Sequence, residues 1–175
     1  MSDKIIIRGY DSPCGALALG SFGGRLCLCD WLSENHHCRV CDRLAREFRA
    51  EMVRGDSPVI ETAAGQLDEY FAGERRRFDV PLLFVGTDFQ KTVWNELLAI
   101  PFGTTVSYGE MARRIGRPKA VRAVANANGA NAISIFAPCH RVVGGDGSLT
   151  GYGGGLYAKE YLLELERAID RRGGR

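Results

Sequence analysis

The chain has 175 residues, 45% of them hydrophobic and 25% charged, with a formal net charge of +2. That composition is that of a soluble globular protein of one domain or two small ones. No apolar run approaches the roughly 20 residues of a membrane helix. The start, MSDKIIIRGYDSP, has too short an apolar core for a secretory signal. A cytoplasmic protein with no membrane partner is therefore expected, and its six cysteines are free thiols, ligands or catalytic groups.

In chain order, KIIIRGY, GALALGS and RLCLCDW read as short strands, broken by Pro13 and the Gly23-Gly24 turn. VCDRLAREFRAEM places Val40, Leu44, Phe48 and Met52 at i, i+4 spacing and predicts an amphipathic helix. SPVIETAAGQLDEYFAG predicts another, with Ser57 as N-cap, Pro58 at the first helical position and Gly73 just past the end. RRRFDVPLLFVG reads as a strand or extended connector. Gly86 marks the boundary between a mixed α/β domain over residues 1–85 and a second domain over residues 86–175.

Beyond it, TDFQ at Thr87–Gln90 and SYGE at Ser107–Glu110 both fit the capping box. The first opens a helix with Phe89, Val93 and Leu97 on one face, stopped by Pro101. The second opens a short helix ended by Gly116 and Pro118. A third is expected from near Lys119 to about Asn128, and IGRPK joins the last two as a helix-turn-helix. On the third helix Val121, Val124 and Ala125 share the face expected to be buried. The opposite face carries Arg122, Ala123, Asn126 and Ala127. It lacks the several long side chains of a major-groove reader. It suits close approach to a minor groove, with Arg122 as a probe of the base stack; an ordinary Ala-rich helix with one solvated Arg is the alternative. From Met111 to Gly145 there are six basic residues (Arg113, Arg114, Arg117, Lys119, Arg122, Arg141) and no acidic one. Such a window is a candidate phosphate-facing surface, with Lys119 and Arg141 joining Arg122 as DNA contacts.

Cys139 lies in SIFAPCHRVVGGDGSLTGYGGG. A free cysteine is most often a small buried hydrophobe. Here Pro138 stiffens the chain before it, and His140 and Arg141 follow; a nearby base or cation raises the thiolate share. LYAKEYLLELERAIDR predicts a C-terminal helix with Leu162, Leu165 and Ile169 on its apolar face. Glu166 falls near the centre of that face, about 40° from Leu162. A carboxylate there needs a partner, and His140 is the candidate. Glu166 would hold the imidazole's tautomer while His140 draws the thiol proton. The alternative is an edge glutamate that snorkels to solvent.

PCHRV at Pro138–Val142, preceded by GANAISIFA and followed by GYGGGL, resembles the O6-alkylguanine-DNA alkyltransferases. The resemblance extends through FQKTVWNELLAIPFGTTVSYGEMA and GRPKAVRAVANANGAN, and more weakly into the first 85 residues. It implies an RNase H-like α/β N-terminal domain and a mainly α winged-helix C-terminal domain. It implies that Cys139 accepts the alkyl group, served by a Cys–water–His–Glu relay through His140 and Glu166. Asn131 would link the recognition helix to the active-site turn, and Tyr108 would contact the guanine and help it take a proton. Arg122 would fill the gap left by the flipped nucleotide, and Tyr152, Gly153, Gly154 and Gly155 would form the pocket loop. The implied partner is double-stranded DNA containing alkylated bases, bound in its minor groove by a monomer. The implied activity is single-turnover repair of O6-alkylguanine. No metal or organic cofactor is required for that displacement.

Two departures from the family carry expectations of their own. Ala132 stands where many relatives have proline, which loosens the turn. Gly153 stands where some have serine, which predicts a roomier pocket. Cys38 and Cys41 form a lone CxxC beside His36 and His37, with Cys27 and Cys29 on one strand face, a weak zinc pattern. A regulator that binds alkylated bases without chemistry and a cysteine hydrolase are the competing readings. The Cys-His-Glu set argues against the first, and the helix-turn-helix and basic window against the second.

Overall fold

The computed structural model describes residues 3–173. Three strands, β1 (Lys4–Ser12), β2 (Gly15–Phe22) and β3 (Arg25–Trp31), form an antiparallel meander. Gly23 and Gly24 turn the second hairpin with φ of 58° and 76°, values open to glycine at no steric cost. β4 (Glu51–Arg54) pairs with β1 in parallel, so the sheet runs β3-β2-β1-β4.

Two helices cover this sheet, α1 (Glu34–Phe48) and α2 (Pro58–Phe71). α1 begins earlier than the periodicity predicts and stops at Phe48, where Arg49 adopts a left-handed conformation. Met52, expected on the helix face, instead pairs with Ile5 across the β4–β1 ladder. The i, i+4 pattern continued past the helix because a half-buried strand also needs an apolar residue there. α2 follows its sequence signals: the Ser57 side chain accepts from Ile60 N, with Pro58 in the first turn. Ile5, Leu17, Leu19, Leu26, Leu44, Ile60 and Leu67 are fully buried between these layers. Each contributes about 1.5–3 kcal/mol of burial energy.

The free edge of β3 is occupied by two later segments. Leu26 N donates to Pro81 O (2.8 Å) and Leu83 N to Leu26 O (2.8 Å), so the connector runs extended along the strand. Further on, Cys29 N donates to Ala132 O (2.9 Å) and Ser134 N to Cys29 O (2.7 Å). The segment leading to Cys139 is thus an added rung of the N-terminal sheet. Its residues Ile133, Ile135 and Phe136 join the same core, as do Ala158 and Leu162.

A second core holds the rest together: Val93, Trp94 and Leu97 of α3 (Asp88–Leu97), Met111 and Ala112 of α4 (Tyr108–Arg114), and Val124 and Ala127 of α5 (Val121–Gly129). α3 opens on a complete capping box between Thr87 and Gln90. α4 has only half of one. Ser107 caps Glu110 N, but the Glu110 carboxylate turns to Arg113 and Arg114 instead. Short strands β5 (Val106–Ser107) and β6 (Val142–Val143) pair in parallel, and α6 (Leu156–Gly173) closes the fold.

The buried face of α5 differs from the expected one. Val124, Ala127 and Asn128 are buried, at i, i+3, i+4 spacing, while Val121 is 40% exposed. Reading Val121 as core rotated the predicted face. Arg122, Ala123 and Asn126 do face solvent, but Ala127 does not.

Candidate active site

Cys139, His140 and Arg141 form a single 3-10 turn after Pro138, and all three are buried. A short-range staple holds the approach to it. Asn131, just past the end of α5, donates to Ala137 O (3.0 Å) and Ile133 O (3.4 Å) and accepts from Ile133 N (3.0 Å). Within this loop Ile135 sits at φ 72°, a costly conformation for a β-branched residue, persisting only where the surroundings over-determine it. Asn128 adds a donor to Cys139 O (3.3 Å). The end of α5 is therefore tied directly to the turn carrying the thiol.

Glu166 is the hub behind that turn. It is completely buried. Its Oε1 accepts from Tyr70 (2.8 Å) and from Arg141 Nη2 (2.8 Å) and lies 2.8 Å from His140 Nε2; its Oε2 accepts from Arg141 Nε (2.9 Å). Burial works toward the neutral acid, but His140 and Arg141 win and hold the carboxyl well below the usual range. A carboxylate can only accept, so His140 Nε2 must carry the proton. Nδ1 is then the open lone pair, buried and without a protein partner. A ring so held could accept a proton at Nδ1.

Arg141 corrects the sequence-level expectation. It is 6% exposed, and its guanidinium is consumed by Glu166 and by Ile100 O (2.8 Å). It stacks over Phe102, inside the protein and away from the exposed surface where a phosphate would be met. The basic window gave no sign of this, because charge spacing does not reveal burial. Tyr70, which caps the carboxylate from α2, was also out of reach: its position on an apolar helix face reads simply as core.

Burial pushes the Cys139 thiol up from its ordinary value, while the Asn131 and Ser134 side chains and the charge of Lys159 pull it back. Lys159 is fully buried, and its Nζ donates to Val142 O (2.7 Å) and Thr150 O (3.0 Å), tying the start and the middle of the glycine-rich loop to α6. Neither Ser134 nor Lys159 stood out in the sequence. A lysine two turns before Glu166 on the same helix is the one available signal.

A cavity of about 800 Å³ lies between α1, α5 and the glycine-rich loop, lined by Tyr108, Asn126, Thr150, Tyr152, Gly153 and the α1 side chains of His36 and Arg43; Cys139 is not among its lining residues. The Tyr108 hydroxyl accepts from Thr150 Oγ1 (3.1 Å). Gly155 turns into α6 at φ 86°. Lys119 and Arg122 lie on the exposed surface of the helix-turn-helix. The room expected at Gly153 is not empty. A Cβ there would meet the His36 ring at 3.2 Å, and one at Gly154 would strike the Trp31 indole at 2.5 Å. The N-terminal domain fills the space that the missing side chains leave.

His36 also reaches Gly129 O (2.7 Å) at the end of α5, and Arg43 reaches Ala130 O (2.9 Å), where carbonyl dipoles favour cations. The other thiols are dispersed. Cys27 and Cys29 are buried, Cys38 is exposed, and Cys41 lies 3.5 Å from His37 Nε2. Among the described residues no three metal-ligating side chains gather into a candidate ion site.

Two family models match the chain: the 6-O-methylguanine DNA methyltransferase ribonuclease-like domain over residues 5–84 and the DNA binding domain of the same family over residues 88–168. The chain belongs to this family. It is 47% identical over 161 residues to a methylated-DNA–protein-cysteine methyltransferase of Mycobacterium tuberculosis, covering 92% of each chain. It is 57% identical over 160 residues to that of Mycolicibacterium paratuberculosis, covering 91% of each. The crystal structure of the M. tuberculosis O6-methylguanine methyltransferase superposes at a TM-score of 0.80, with 45% identity over 94% of each chain. A structure of the M. tuberculosis protein in complex with DNA superposes at 0.79 with 46% identity.

Proposed function

We propose that this protein repairs O6-alkylguanine in duplex DNA by moving the alkyl group to Cys139, once per molecule. One observation carries the assignment of the acceptor. Cys139 shares a turn with a histidine whose Nδ1 is left open because Glu166 occupies its Nε2.

The target carbon lies on a base edge, so the nucleotide is extruded into the cavity beside Tyr108 and Tyr152. The helix-turn-helix docks in the minor groove, with Arg122 filling the gap and Lys119 near the phosphates; Ala123 and Asn126 form the close-approach face. The Cys139 proton passes to His140 Nδ1 through a bridging water, and Glu166 stabilises the imidazolium. The sulfur attacks the alkyl carbon, the S–C bond forms, and the C–O6 bond breaks with its electron pair leaving on the guanine. Tyr108 helps the departing base take a proton. The thioether has no easy hydrolytic exit, so the thiol is not regenerated. Residues 1–85 and 86–175 act as two domains, and the protein works as a monomer in the cytoplasm.

Incubation with duplex DNA carrying O6-methylguanine, followed by peptide mapping, tests this reading. A stable 14 Da-class methyl adduct, about one CH₂ by mass, is expected on Cys139 and absent from Cys139→Ser, with one equivalent consumed per protein. Binding without transfer would instead indicate a damage sensor. Repeated turnover on an ester would indicate a hydrolase.

A further inference from the structure

A second cavity, of about 1010 Å³, is bounded by the connector from Arg76 to Phe84, the α3 side chains of Lys91 and Asn95, the loop after α3, and the segment that leads to Cys139. It shares no lining residue with the cavity at Tyr108 and Tyr152, and the transfer step does not use it. Its lining has five cations and no carboxylate: Arg25, Arg76, Arg77, Lys91 and Arg141. Two of them are neutralised by groups outside the lining, Arg141 by Glu166 and Arg76 by Asp170. Arg25, Arg77 and Lys91 are exposed and have no carboxylate partner among the described residues. Arg25 is fixed at the wall by one nitrogen on Leu82 O (2.7 Å). The rest of the wall is largely apolar, with Leu82, Leu83, Phe84, Ile135, Phe136 and the 47% exposed Leu98.

An apolar hollow with uncompensated cations complements a ligand that is both anionic and apolar. A single strand of nucleic acid has both properties, but it binds by stacking its bases on open ring faces. Here the rings are engaged with protein. Phe78 packs on Phe136 with centroids 4.5 Å apart, and Phe84 on Trp94 at 5.7 Å. Phe102 lies under the guanidiniums of Arg76 and Arg141, at 5.3 and 5.5 Å. A duplex keeps its bases inside and offers the apolar wall nothing. Leucine and phenylalanine side chains need no ring face, only a dry apolar wall, and neighbouring carboxylates would meet the free cations. We infer that this groove is a docking site for an acidic peptide segment of a partner protein, anchored by apolar side chains. Arg77 belongs to the connector and Lys91 to α3, so the bound segment bridges the two halves of the chain.

The inference does not rest on Cys139 being the acceptor, and its test needs no damaged DNA. Fluorescence anisotropy is measured with a fluorescein-labelled peptide of repeated Asp-Leu-Glu-Phe, the same peptide with serine for leucine and phenylalanine, and oligo-dT. The proteins are wild type, Arg77→Glu, Lys91→Glu and Leu98→Asp. All three positions are exposed, so urea unfolding should be unchanged. Each charge reversal is expected to weaken the acidic apolar peptide about tenfold, because like charges then face each other. Leu98→Asp and the serine peptide are each expected to lose about tenfold as well, through the missing apolar contact. Added salt should weaken binding without abolishing it. No binding of the acidic apolar peptide, a serine peptide that binds equally well, or charge reversals without effect would overturn the inference. So would oligo-dT binding that the same reversals abolish, which would make the groove a nucleic-acid site. Self-association of the protein that the reversals abolish would give it to a second copy instead.

Discussion

Two carboxylate–histidine pairs, one with a buried ring and one with a half-buried ring, are wired in opposite ways. His140 has Glu166 on one nitrogen and no protein partner on the other. His36 has acceptors on both: Asp30 Oδ2 lies 3.2 Å from Nδ1, and Gly129 O lies 2.7 Å from Nε2. A neutral imidazole can donate only once, so the His36 site is built for the imidazolium. The Asp30 hydrogen bond, opposed by burial, raises its pKa accordingly. One ring is left able to take a proton; the other has an acceptor on each nitrogen and serves as a strut between β3, α5 and the loop at Gly153. The number of acceptors in reach sets the two rings apart.

The largest effect should come from the carboxylate under the open ring. Glu166→Gln leaves Arg141 as a buried charge without its counter-ion, and about 3–5 kcal/mol of stability should be lost in urea unfolding at pH 7. Because the folded pKa of Glu166 is depressed, the wild-type advantage is full above the unfolded carboxyl value of about 4.3 and shrinks as pH falls through the folded value. His140→Asn should slow single-turnover transfer by about a hundredfold or more, the range of a general base. His36→Gln should slow transfer far less; a comparable rate loss would break the contrast between the two rings.

The His36 variant has its own signature. His36→Gln should cost about 1.5 kcal/mol at pH 6, one hydrogen bond to a charged group. The His36 pKa is raised, so this contribution is full below the unfolded value of about 6.5 and disappears as pH rises through the folded value. Unfolding curves of the two proteins at pH 6 and 9 measure the closing gap. Gly153→Ser should have the smallest effect, under about 1 kcal/mol, since the His36 ring need give only a few tenths of an ångström. Its ratio of benzyl to methyl transfer rates should change less in a His36→Gln background, where the opposing ring is gone.

Much of this was legible along the chain. The strands, α2 with its Ser57 cap, the Thr87–Gln90 box and the helix-turn-helix all follow from patterns that act within a few residues. Glu166 stood out because a carboxylate at the centre of an apolar helix face is itself a local anomaly. Residues whose partners come from another element were not legible. Arg141 looks like any cation in a basic window until Glu166 is seen to bind it. Tyr70 looks like core, and Gly153 looks like open space until His36 is placed against it.

The sequence by itself determined the family, the location of the thiol and the identity of its histidine and glutamate, because a short motif and helical periodicity fix these without reference to the rest of the chain. Only the tertiary structure decided that the N-terminal sheet takes part in the site. The pairing of Ala132 and Ser134 with Cys29, and the packing of Trp31 and His36 under Gly154 and Gly153, join residues roughly a hundred positions apart. Backbone groups on a sheet edge seek any partner, and no side-chain pattern specifies which distant segment supplies it.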